Sequence, residues 1–185
     1  MIRHIIKFDR GLDENSAEEV HNLISRTFIA ANKKNYSEGT LESLVYTQET
    51  QDMFLQYYKQ VLKNESPKIS VLAYDDEKLI GTGFLSGGYR PYMGADKIDG
   101  HTLLYGMYVD PDYQRYKKGV KIGTTIFDLI LYNARLKGIK AIHALATDFQ
   151  GVLHFYNQLG FQKKGDVTMT YENLALKMHD IELEI

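Results

Sequence analysis

The sequence predicts a mixed α/β fold, in which a twisted sheet of about six to seven strands is flanked by helices. Three observations predict it. Helix-type periodicity dominates the first third of the chain, and strand-type segments take over at Ile69. A strong amphipathic helix sits between two apolar strand segments, which is the pattern of a βαβ crossover. Hydrophobic residues make up 44% of the 185 positions and charged residues 25%, enough apolar mass for a packed core. Composition shifts nowhere else, so residues 1–185 read as one domain.

The elements follow in order. Ile2 to Phe8 is short, apolar and bounded by Asp9 and Gly11, as a strand is. Asn15 to Glu19 opens a helix, with Ser16 and Glu19 at capping-box spacing and Val20, Leu23, Ile24, Thr27 and Phe28 at helical period. Lys33 to Gly39 is polar and reads as a loop, after which Thr40 is placed to cap a second helix carrying Leu41, Leu44 and Val45. A further helical run covers about Glu49 to Leu62. Ile69–Tyr74 and Leu79–Leu85 flank the turn Asp75–Lys78 and form a hairpin. A glycine-rich connection over 87–100 leads to a strand from His101 to Val109, stopped by Asp110-Pro111. Gly119 to Lys137 is the best helix, with Val120, Ile122, Ile126, Leu129, Ile130 and Leu136 apolar and Gly138 as its stop signal. Ile139 to Ala146 is apolar on both faces, as a buried parallel strand requires. Gln150 to Leu159 is a short helix, and two strands near Phe161–Lys164 and Val167–Met178 close the chain.

Charge and composition exclude several classes. Lys plus Arg is 22 and Asp plus Glu is 24, a formal net charge of −2, which argues against nucleic-acid binding by bulk charge. There is no cysteine, so thiolate nucleophiles, disulfides and cysteine-ligated metals are excluded. No apolar run approaches the ~18 residues of a membrane span, and the N-terminus lacks a signal-peptide core, so the expected location is the cytoplasm. The histidines other than His101 show no metal-ligand spacing, and no metal site is expected.

Two segments carry chemistry. From Tyr108 to Thr125 a strand ends, a basic glycine-bearing loop follows and the strongest helix begins. A helix start presents unpaired N–H groups and the positive end of a dipole, which suits an anion. Gly119 and Gly123 let backbone approach that anion, and Arg115, Lys117, Lys118 and Lys121 add positive charge. This favours a pyrophosphate, although a solvated basic loop before an ordinary helix reads equally well from this segment alone. The second segment, His154 to Phe161, is a short helix ending at Gly160, where Tyr156 taken alone is a packing residue.

Together the two segments resemble the GNAT superfamily of acyl-CoA-dependent N-acyltransferases. Val109-Asp110-Pro111 matches the strand end before that family's phosphate loop, and Lys118-Gly119-Val120-Lys121-Ile122-Gly123 takes the place of its Gln/Arg-x-x-Gly-x-Gly/Ala motif. Lys118 replaces Gln/Arg, Lys121 replaces the first glycine, and the loop is longer than usual by about four residues. Phe155-Tyr156-Asn157-Gln158-Leu159-Gly160-Phe161 matches the later Phe/Leu-Tyr-x-x-x-Gly-Phe signature in full.

The resemblance implies acetyl-CoA in a cleft between splayed parallel strands, here those ending near Val109 and Ala146. It implies phosphate contacts from Arg115, Lys118, Gly119, Val120, Lys121, Ile122, Gly123 and Thr124. Backbone N–H near Tyr108 or Val109 would polarise the thioester carbonyl. Tyr156 would protonate the departing thiolate, since a phenol near ~10 can donate to a thiolate whose acid is near ~8.5 if the site tunes either group. Phe149 stands where relatives carry an Asn that contacts coenzyme A, so either Asp148 or Thr147 substitutes or the contact is absent. The strand His101–Tyr108 holds no carboxylate to serve as base, so His101 and a water chain to backbone carbonyls are the alternatives. Tyr36, Arg90 and His101 are candidate residues toward the acceptor.

The expected activity is acetyl transfer from acetyl-CoA to a primary amine of a small molecule or peptide, in a ternary complex with no metal, nucleic acid or membrane. The alternative keeps the fold as an inactive acyl-CoA-binding regulatory module. A nucleotide- or RNA-binding domain built on the Arg115–Lys121 cluster is a third reading. The last strands or an exposed edge offer a surface for a homodimer.

Overall fold

A computed structural model of the chain describes residues 14–34, 37–45, 52, 69–87, 98–114, 121–147, 151–171 and 174–185. The expected strand at Ile2–Phe8, nearly all of the helical run at 49–62 and most of the 87–100 connection lie outside them. The described elements are helices α1 (Glu14–Asn32) and α2 (Glu38–Val45), strands β1 (Ile69–Asp75), β2 (Lys78–Leu85) and β3 (His101–Val109), and a 3₁₀ turn at Pro111–Tyr113. After these come α3 (Ile122–Leu136), β4 (Ala141–Thr147), α4 (Val152–Gln158), β5 (Gln162–Tyr171) and β6 (Leu174–Glu184).

The six strands form one sheet in the order β1-β2-β3-β4-β6-β5. Of these neighbours only β3 and β4 run parallel, and α3 makes the crossover between them. The mixed α/β architecture is therefore the expected one. Helix α1 buries Ala17, Val20, Leu23 and Ile24 against Leu72, Leu79 and Phe84 on one face of the sheet. Helix α3 buries Ile122, Ile126, Phe127, Ile130 and Ala134 with Val71, Ile80, Ile142 and Ala144 on the other. It sits close because β2 carries glycines where it crosses. A Cβ on Gly81 would lie 2.7 Å from Ile126 Cδ1, and one on Gly83 would lie 2.7 Å from Ile126 Cγ2.

Several sequence readings are corrected. Ser16 stands inside α1 rather than at its cap. Ser37, not Thr40, caps α2: its Oγ accepts the Thr40 N–H at 3.2 Å and lies 2.7 Å from the Thr40 hydroxyl. Leu136 is 69% exposed, and the inner face of α3 is completed by Phe127 and Ala134 instead. The segment Val167–Met178 is not one strand, because β5 runs on to Tyr171 and pairs back on β6 from Leu174. The expected strands Phe161–Lys164 and Val167–Met178 are not separated at 165–166, since β5 runs through both positions. The register slips between Lys163 and Gly165, so this glycine sits beside a bulge within β5. The helix stops stand where the sequence puts them: Gly138 has φ +68° and Gly160 has φ +93°, the left-handed caps of α3 and α4.

Candidate active site

β3 and β4 pair only from His101↔Ala141 to Leu104↔Ala144. Both continue past that point, β3 paired to β2 through Val109 and β4 to β6 through Thr147. Two parallel neighbours thus separate at their C-terminal ends, and the backbone groups they turn toward each other have no mutual ladder.

The parting coincides with a bulge in β3. Between the pairs Phe84↔Tyr105 and Thr82↔Tyr108, β3 has one residue more than β2. Gly106 has φ +60°, and a Cβ there would lie 2.5 Å from Phe84 Cδ2, so only glycine fits. Its carbonyl accepts a hydrogen bond from the Thr82 hydroxyl, which locks the bulge to β2. The sequence reading gives Gly106 no role, although an isolated glycine inside a strand is a bulge signal.

Beyond β3 the chain is tightly held. The Asp110 N–H donates to the Ile80 carbonyl at 2.8 Å, and the Asp110 carboxylate accepts the Asp112 N–H at 2.9 Å. The same buried carboxylate meets Arg26 and Lys78, each at 3.0 Å. Burial pulls its pKa upward, but the Asp112 amide, Lys78 and Arg26 outweigh that and hold it below the usual carboxylate range. The Gln114 side chain donates to the Val109 carbonyl at 2.8 Å.

Helix α3 begins at Ile122, and its first residues are Ile122, Gly123 and Thr124. Lys121 occupies the N-cap position, exposed, and supplies no side-chain cap hydrogen bond to the helix. A helix start carries N–H groups outside the intrahelical ladder and the positive end of a dipole, which suit an external acceptor. A Cβ on Gly123 would lie 3.4 Å from Phe155 and 3.6 Å from Val109, so the start of α3, the end of β3 and helix α4 converge at this glycine.

Tyr156 lies on α4 and is 7% exposed. Its position follows from the helix stop. The Phe161 N–H bonds back to the Tyr156 carbonyl at 3.1 Å and the Gly160 N–H to Asn157 at 3.0 Å, around left-handed Gly160. The Phe161 ring then packs edge-on to Tyr156 at 5.2 Å, and Phe155 does likewise at 5.4 Å. The spacing Tyr-x-x-x-Gly-Phe is thus a cap that fixes a tyrosine. Burial pushes the Tyr156 phenol far above its usual pKa, and Tyr108 on β3 adds to the rise. That coupling puts Tyr108 and Tyr156 in one neighbourhood.

The structure therefore brings Tyr108, Val109, Ile122, Gly123 and Tyr156 together where β3 parts from β4, with Lys121 and Thr124 at the adjoining helix start. Thr147 ends β4 across the gap and is half-buried. His101 is at the opposite end of β3. It is seven steps along the strand from Tyr108, roughly 20 Å at strand rise. It faces His143 instead. Arg115, Lys118, Gly119, Val120, Tyr36, Arg90, Asp148 and Phe149 lie outside the described residues. Among the described residues no helix is long and apolar enough to cross a membrane.

Comparison with known proteins agrees with this geometry. The sequence model of the acetyltransferase (GNAT) family matches residues 18–161. No curated protein matches by sequence. Among solved structures, the chain resembles PaiA N-acetyltransferase from Thermoplasma acidophilum in complex with coenzyme A, at a TM-score of 0.71 and 20% identity over 97% of this chain and 99% of that one. It also resembles an N-acetyltransferase from Staphylococcus aureus Mu50, at a TM-score of 0.67 and 15% identity over 98% of both chains. A third is yncA of Salmonella typhimurium with its cofactor acetyl-CoA, at a TM-score of 0.61 and 16% identity over 97% of this chain and 93% of that one. With the family model covering most of its length, the chain belongs to the GNAT acetyltransferase family.

Proposed function

We propose that this protein transfers an acetyl group from acetyl-CoA to a primary amine of a small molecule or peptide. The observation that carries the reading is the parting of β3 and β4 after Leu104 and Ala144, with a buried tyrosine beside the opening. Backbone groups left without a ladder partner can bind an extended pantetheine arm as an added strand would. The start of α3, with Lys121 and the sequence-adjacent Arg115 and Lys118, supplies N–H groups and charge for a diphosphate. Two relatives of this fold are complexes with coenzyme A or acetyl-CoA.

In this reading the amide of Tyr108 or Val109 polarises the thioester carbonyl and holds the oxygen as it gains charge. The amine nitrogen bonds to the acetyl carbon, the carbon–sulfur bond breaks and the Tyr156 hydroxyl protonates the sulfur. The raised phenol pKa keeps that proton in place at every physiological pH. Donation stays feasible because the same dry surroundings destabilise a thiolate and raise its proton affinity too. The amine sheds its own proton through a water chain held by backbone carbonyls, and the Tyr156 phenolate regains one from water, since β3 offers no carboxylate and His101 stands at its far end.

The test is turnover of acetyl-CoA across a panel of primary amines, with Tyr156→Phe as control. Acetylated product that depends on Tyr156 supports the reading. Acetyl-CoA binding without turnover on any amine replaces it with the regulatory module, which the missing strand carboxylate favours.

A further inference from the structure

A second cluster lies on the paired half of the same strands, away from the opening. His101 begins β3, His143 lies on β4 and Glu182 lies on β6 directly across from His143. His101 Nδ1 is 2.9 Å from His143 Nε2, Glu182 Oε2 is 3.0 Å from that same nitrogen, and the remaining edge from His101 Nδ1 to Glu182 Oε2 is 4.0 Å. The two rings stack at 5.2 Å. The other Glu182 oxygen is taken by Lys164 at 2.7 Å, and the Asp180 carboxylate stands 3.8 Å from His143 Nδ1.

Proton counting shows what is unusual here. A neutral imidazole holds one N–H. That hydrogen can serve Glu182 on one side or Asp180 on the other, but not both. If it sits on Nδ1 toward Asp180, then a His143 lone pair, a carboxylate oxygen and a His101 nitrogen converge on one point.

We propose that His101 Nδ1, His143 Nε2 and Glu182 Oε2 are the ligands of a zinc-class divalent cation. Tetrahedral zinc with nitrogen and oxygen ligands at ordinary distances separates its ligand atoms by about 3.3 Å. The three observed separations of 2.9, 3.0 and 4.0 Å straddle that value. The ligand chemistry, two imidazoles and one carboxylate, is that of a three-ligand zinc site with its fourth position left to water. Asp180, 3.8 Å from His143 Nδ1, stands on the side of the ring where a carboxylate orients a ligating imidazole. The side chains are 26%, 5% and 12% exposed, so the site is sheltered and His101 is its most open edge. Local spacing could not reveal it, because the ligands come from three strands. The ion would tie β3, β4 and β6 together beside the four-pair parallel ladder. The inference rests on no step of the acetyl-transfer reading.

The test is calorimetric titration of chelator-treated full-length protein with Zn²⁺, with Co²⁺ as a spectroscopic probe of coordination. The expected result is saturation at a single equivalent and a tetrahedral cobalt spectrum. His101→Ala and Glu182→Gln, checked for native circular dichroism, should each weaken binding by more than about tenfold, and Asp180→Asn by about 10- to 100-fold. Because His143 is buried, it is not the residue to vary first. Absence of saturable binding, several weak equivalents, or affinity that either ligand variant changes by less than about tenfold would overturn the proposal.

Discussion

Gly106→Ala tests whether the bulge in β3 is the device that opens the strands. Two effects add. At φ +60° an alanine carries the left-handed penalty of about 1–2 kcal/mol. Its Cβ would also sit 2.5 Å from Phe84 Cδ2, and Phe84 is 1% exposed and stacked on Tyr105, so it has nowhere to go. Overpacking of that kind costs about 1–3 kcal/mol, for a total of roughly 2–5 kcal/mol. Gly138→Ala is the internal control. Gly138 has φ +68°, but a Cβ added there would meet nothing within 4 Å, so only the backbone penalty of about 1–2 kcal/mol applies. Urea midpoints and slopes for both variants give the comparison, and pairing Gly106→Ala with Phe84→Leu in a double-mutant cycle isolates the clash. If the bulge sets the opening, Gly106→Ala also weakens acetyl-CoA binding, which Gly138→Ala does not. Equal destabilisation by the two alanines, with acetyl-CoA affinity unchanged in both, would refute the account.

Three further outcomes are expected. Tyr156→Phe should lower the acetylation rate by about 10²–10⁴-fold while acetyl-CoA affinity, measured by calorimetry, changes little; equal losses in both would make the tyrosine a packing residue. Lys118→Glu combined with Lys121→Glu should weaken acetyl-CoA binding, with a salt dependence reduced from that of the unmodified protein; unchanged affinity would remove the phosphate assignment. Asp110 has a folded-state pKa below its unfolded value, so its contribution to stability is complete above the ordinary carboxylate range and disappears as pH falls through the lowered value. Asp110→Asn should therefore destabilise the protein at neutral pH and flatten its acid unfolding curve. Parallel curves for the two proteins would sink that reading.

What is legible in the sequence is what is local. The cap that fixes Tyr156 spans six residues, 156 to 161, and every part of it is printed consecutively in the chain. The left-handed stops at Gly138 and Gly160 and the β1–β2 hairpin are local in the same sense. Gly165 shows the opposite failure. Residues 165–166 are the gap between the two expected closing strands, but Gly165 stands in β5 beside a bulge, and the neighbouring Lys164 pairs with Glu182. Ser37 and Thr40 are both good cap residues, three apart, and only the backbone decides which one precedes the helix. The meeting of His101, His143 and Glu182 depends on strand order, which no window of sequence contains.

The short ladder between β3 and β4 has a mechanical consequence. Among the described residues, four residue pairs form the ladder between β1-β2-β3 and β4-β6-β5, so the sheet is two plates joined along one edge. Helix α3 packs over β1, β2 and β3, on one side of that seam. Amide hydrogens of residues 105–109 that point into the gap should exchange with solvent faster than those of 101–104, and a molecule inserted there should slow them selectively. Exchange rates read along one strand would then map where the seam ends, residue by residue, without any assay of chemistry.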